Sequence, residues 1–125
     1  MRVILMLVMG LLSNGVMASW SQITLNNEAI IYADLSTIQK SGNLVKMWDI
    51  SDFKKKSVAD KFLSIKSLHE FDCKLSQSRV INFTMYSGNM ASGKVVQSSN
   101  AVHAWLPVKT GGVSVALWTT ACKKR

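Results

Sequence analysis

The sequence predicts an α+β fold: an antiparallel β-sheet meander of about six strands, then a C-terminal segment for which helix is preferred over strand. Three observations lead there. Turn-forming clusters recur at Asn26-Asn27, Ser41-Gly42-Asn43, Ser87-Gly88-Asn89 and Ser92-Gly93, and Pro107 is the one proline in 125 residues. The intervals between those clusters are short and rich in β-branched and aromatic residues. The two cysteines, Cys73 and Cys122, lie far apart in the chain and allow one intramolecular pairing.

The chain opens with Met1-Arg2, an uncharged apolar run from Val3 to Leu12, then Ser13-Asn14-Gly15 and Val16-Met17-Ala18. That order of a basic start, an apolar centre and small residues at the end predicts a signal peptide over residues 1–18, with the working domain at 19–125. A spanning helix needs about 20 apolar residues, and this run is half that length. The mature protein is therefore expected to be exported to the periplasm or secreted and not to span a membrane. The residue directly after Ala18 is Ser19 and not cysteine, so a lipoprotein anchor is not indicated.

Within the domain, strands are predicted at 19–25, 29–33, 44–53, 61–75, 79–87 and 94–98. Asp34 could cap a short helical turn over 34–38. Residues 44–50 are apolar in both phases, as in a central strand covered on both faces. The strand from Arg79 alternates, with Ile81, Phe83 and Met85 on one face and Asn82, Thr84 and Tyr86 on the other. Residues 112–122 fit a helix with Val115, Trp118 and Cys122 on one face, although Val113, Val115 and Leu117 also alternate as in a strand. Export would place Cys73 and Cys122 in an oxidising compartment, and a disulfide between them is expected to fasten this last segment to the sheet.

Lys and Arg number 15 against 7 Asp and Glu, a formal net charge of +8. Loss of Arg2 with the leader would leave a clear basic excess, which favours acidic partners. The exported compartment disfavours nucleic acid, which leaves anionic membrane surfaces, acidic glycans or other envelope polymers, and acidic proteins as the expected contacts. Three loops are candidates for that contact: the triplet Lys54, Lys55, Lys56; the Gly-flanked loop with Asn89 and Met90 at its tip; and residues 101–105, where Trp105 precedes Pro107.

The residues do not point to catalysis. His69 and His103 are the two histidines. In His69-Glu70-Phe71-Asp72-Cys73, strand alternation sends His69, Phe71 and Cys73 to one face and Glu70 and Asp72 to the other, so no metal site forms locally. Asp49 and Asp52 likewise fall on opposite faces of a strand, against a paired-carboxylate hydrolase. No phosphate-binding Gly loop or nucleophile elbow is present. No enzyme activity and no cofactor are expected.

Several segments together resemble a known family: Ile31-Tyr32-Ala33-Asp34 with Ser36 and Ile38, Gly42-Asn43-Leu44-Val45-Lys46-Met47-Trp48, Glu70-Phe71-Asp72-Cys73, Tyr86-Ser87-Gly88 with Met90 and Gly93, and the ending at Cys122. They are similar to the surface-adhesin protein E family of Gram-negative bacteria, over nearly the whole mature chain. The resemblance implies a C-terminal helix held against the concave face of the sheet by the disulfide. It also implies a non-enzymatic role in adhesion, with host matrix or plasma proteins as partners. Two departures stand out: the absent lipid-attachment cysteine, and Asn89 where many relatives carry proline. The alternative is a periplasmic envelope protein, structural or chaperone-like, that holds a polypeptide by a strand edge or the concave face.

Overall fold

The computed structural model of the chain describes residues 19–55 and 61–123; the expected signal peptide and Lys56 lie outside them. Six strands form one antiparallel meander in sequence order: β1 (Trp20–Leu25), β2 (Ala29–Ser41), β3 (Leu44–Phe53), β4 (Ser64–Asp72), β5 (Gln77–Tyr86) and β6 (Val95–Ser99). A two-residue strand, β7 (Leu106–Pro107), pairs with Gln77 and Ser78 of β5, beyond the stretch of β5 that β6 occupies. The last described element is helix α1 (Val113–Cys122).

The core lies between α1 and one sheet face. Alternation along β2, β3 and β4 sends Ala29, Ile31, Ala33, Val45, Met47 and Phe71 to that face, where Leu117 and Ala121 of α1 complete it. The helix packs through an i, i+4, i+8 stripe of Val113, Leu117 and Ala121, with Trp118 and Cys122 at its side. The expected face was therefore right at Trp118 and Cys122 and wrong at Val115, because the axis lies along the intervening stripe. Cys73 and Cys122 are joined in a disulfide across a Cα separation of 5.6 Å, and Trp118 Nε1 donates to the Asp72 carbonyl at 3.0 Å. The two links bracket the C-terminal half of α1.

Among the described residues no second layer of backbone covers the opposite face. Its side chains cover one another: the Lys66 ammonium lies 5.1 Å from the Trp48 ring centre and 6.0 Å from that of Trp20, and the Arg79 guanidinium is bonded to Glu70. Ile50 is fully buried in this layer.

Four bulges set the sheet's shape, the one in β6 making Val96 the extra residue opposite Met85 and Tyr86. The longest falls between Asp34 and Gln39 of β2, so 34–38 is a bulged strand and not a helical turn. Asp34 does cap backbone there, since its Oδ1 accepts from both the amide and the hydroxyl of Ser36. The hydroxyl bond outweighs the effect of burial and holds the Asp34 carboxyl below its ordinary range. Thr37 then repairs the ladder: its Oγ1 accepts from the Trp48 amide at 3.0 Å and donates to the Asp34 carbonyl at 2.6 Å. Replacing Thr37 by valine keeps the shape and removes both bonds, so urea unfolding should show a loss of about 1–2 kcal/mol. A second bulge, in β1, makes Ile23 the extra residue. The third, in β5, makes Ile81 the extra residue opposite Leu68 and His69. It breaks the predicted alternation, and Val80 rather than Ile81 joins Phe83 and Met85 on the helix-side face.

Candidate functional site

Two of the three candidate loops meet at one end of the sheet. Asp52, near the end of β3, accepts at Oδ1 from the Asn89 side chain at 3.0 Å and the Met90 amide at 2.8 Å, while Asn89 also donates to the Phe53 carbonyl at 3.0 Å. A proline at position 89 could make neither side-chain bond. From the neighbouring strand Ser64 ties the base of the loop: its hydroxyl donates to the Gly88 carbonyl at 2.6 Å and accepts from the Ala91 amide at 2.9 Å. Positive φ in this loop falls on Met90, Ala91 and Gly93. Gly88 is needed for space instead, since an added Cβ would lie 2.9 Å from the Ser92 carbonyl oxygen. Met90 is left exposed at the tip.

Beside this loop is a cavity of about 490 Å³ lined by Asn27, Glu28, Phe53, Lys54, Lys55 and Phe62. The rings of Phe53 and Phe62 meet edge to face, 5.5 Å between centres, and form its apolar floor. Lys54 and Lys55 are exposed at its rim. An apolar floor with a basic rim suits an apolar side chain flanked by carboxylates. Phe62 was not singled out from the sequence, because its approach to Phe53 depends on the chain returning from β3 to β4.

Trp105 stands apart. It is half-buried, with the Arg79 guanidinium 4.3 Å from its ring centre, and it precedes β7 at the Gln77 end of β5. The structure thus brings Lys54, Lys55, Asn89 and Met90 together and separates Trp105 from them.

Beneath the start of α1 lies an arrangement that the sequence did not disclose. His69 Nδ1 is bonded to Asp49 Oδ2 across the β3–β4 pair, and the imidazole stacks on Phe71. His69 and Phe71 do share a face, as alternation predicts. Asp49 is essentially buried, and burial pushes its carboxyl pKa up. For His69 burial is the largest influence and acts downward, but the charge and hydrogen bond of Asp49 together outweigh it and raise the imidazole above its ordinary value. The pair borders a cavity of about 290 Å³ whose other polar groups are Ser51, Ser67, Ser78 and Ser114. No group of three or more His, Cys, Asp or Glu side chains placed to hold a metal occurs among the described residues, and no helix among them is long and apolar enough to cross a membrane.

The family model described as Surface-adhesin protein E matches residues 20–123. Among solved structures, crystal form II of Haemophilus influenzae protein E is similar with a TM-score of 0.61 at 10% identity, covering 86% of this chain and 96% of that one. No curated protein matches the chain.

Proposed function

The chain belongs to the surface-adhesin protein E family, and on that premise we propose that it is an exported, non-enzymatic binding module that engages a host matrix or plasma protein through the Phe53 end of its sheet. The observation that carries this reading is the convergence of Lys54, Lys55, Asn89 and Met90, from two distant stretches of chain, around Asp52 and the Phe53–Phe62 cavity. Rim lysines steer an acidic partner and the aromatic floor receives its apolar anchor. The test is binding of the protein to immobilised matrix and plasma proteins over a salt series. Lys54→Glu with Lys55→Glu should weaken binding by about ten-fold at low salt, chiefly through slower association, with the difference shrinking as salt rises. Unchanged binding at low salt would reject the site.

A second reading rests on β6. Among the described residues this strand pairs with β5 alone, and Val95 and Val96 are exposed on it. Its outer edge is available to a partner strand of an envelope polypeptide. Main-chain pairing of that kind predicts affinity almost independent of salt.

A further inference from the structure

The cavity under α1 plays no part in the contact proposed above, and its chemistry is of another kind. Ser67 and Ser78 are only 7% and 9% exposed, both line it, and neither hydroxyl has a hydrogen-bond partner among the described residues. Buried hydroxyls without partners are unfavourable and call for a guest with acceptor atoms. His69 also lines the cavity and has its Nδ1 committed to Asp49, which leaves Nε2 to donate. The third contribution is the helix itself. Val113 and Ser114, its first two residues, form part of the wall, the helix has no side-chain cap, and its first turn contains no acidic residue. Its free amides and the positive end of its dipole are therefore uncompensated by side chains.

Charge on this face comes from few groups. Asp49 is neutralised by His69. Helix α1 carries no charged side chain, and Arg79, the charged residue of β5, is turned to the opposite face by its bond to Glu70. The helix end thus tips the balance towards an anion. Next to this polar chamber, and sharing Ile65 and Ser67 with it, is a hollow of about 270 Å³ walled by Val80, Phe83, Met85 and His103. Apart from Ser67 and His103 its wall is apolar, and the bulge at Ile81 is what turns Val80 into line with Phe83 and Met85.

We propose that this face binds a medium-chain fatty acid, with the carboxylate held by His69, Ser67, Ser78 and the first amides of α1, and the hydrocarbon tail lying along Val80, Phe83 and Met85. A carboxylate alone would leave the hollow unfilled, and a hydrocarbon alone would leave the hydroxyls unpaired. One molecule with both ends answers both demands.

Calorimetric titration of the disulfide-bonded protein with decanoate, 1-decanol and butyrate tests this. Decanoate should bind about ten-fold or more tighter than either of the others, with amide NMR shifts centred on Ser67, His69, Ser78, Val80, Phe83 and Ser114. His69→Gln should weaken decanoate about ten-fold and leave 1-decanol unchanged. Ser78→Ala supplies the same contrast with the Asp49–His69 pair intact, should the first variant fold poorly. Equal affinity for decanoate and 1-decanol, an absence of decanoate binding, or shifts confined to the Phe53 end would each overturn the assignment.

Discussion

Replacing both Cys73 and Cys122 by serine is expected to destabilise the protein by about 4 kcal/mol, a large share of the 5–15 kcal/mol typical of a domain. The disulfide closes a sequence separation of 49 residues, and the chain-entropy cost of leaving a loop of that size open gives the figure. The loss should be concentrated in α1. A ten-residue helix has little stability of its own in water, and this one lacks a side-chain cap and buries only Leu117 and Ala121 fully. Urea unfolding of the wild-type and serine proteins gives the total. Hydrogen exchange gives the location, with amides 113–122 losing protection before those of β2, β3 and β4. A change below about 1 kcal/mol would mean that Leu117, Ala121 and the Trp118 bond to Asp72 suffice to hold the helix.

The second large effect is expected at His69. Removing one partner of a buried ion pair strands the other, and His69→Ala would leave the Asp49 carboxylate buried without its counter-charge, at a cost of about 3–5 kcal/mol. Changing both together, Asp49→Val with His69→Leu, should recover most of that loss, because nothing charged then remains to be desolvated. Both groups have raised pKa values in the folded protein, so the folded state holds protons more tightly than the unfolded state. The contribution of His69 is therefore complete below its ordinary value of 6.5 and is lost as pH rises through the raised folded value. Stability measured by urea unfolding should fall across that interval, and Asp49→Asn should flatten the fall. A wild-type profile that is already flat there would contradict the pairing.

The Asp49–His69 pair shows where sequence reading stops. Asp49 sits opposite Ser67 and His69 opposite Met47, so their contact is a diagonal across two strands and depends on register. Nothing local in Asp49 or in the run from His69 to Cys73 encodes it. The bounds of β3 were legible because Leu44 to Ile50 is apolar in both phases, as a central strand requires. The stretch after Asp34 was misread for a physical reason: an aspartate accepting from the amide two residues on is common to a helix start and to an Asx turn inside a bulge. Periodicity failed in β5 at Ile81 because one inserted residue inverts every later side chain relative to the strand before it. Lys54, Lys55, Asn89 and Met90 were each legible as loop residues, whereas their shared anchor on Asp52 follows only from the β3–β4–β5 connectivity.

The central claim, that the Phe53 end makes the contact, is tested most directly by reversing charge at opposite ends of the same sheet. Lys54 and Lys55 border the Phe53–Phe62 cavity, while Lys40 and Lys46 lie at the other end, where β2 turns into β3. Each pair, changed to glutamate, alters net charge equally, so general electrostatic attraction to an acidic partner is held constant. Against immobilised matrix and plasma proteins at low salt, loss of binding confined to the Lys54/Lys55 variant is the predicted result. Equal loss in both variants, or loss only with Lys40 and Lys46, would contradict it.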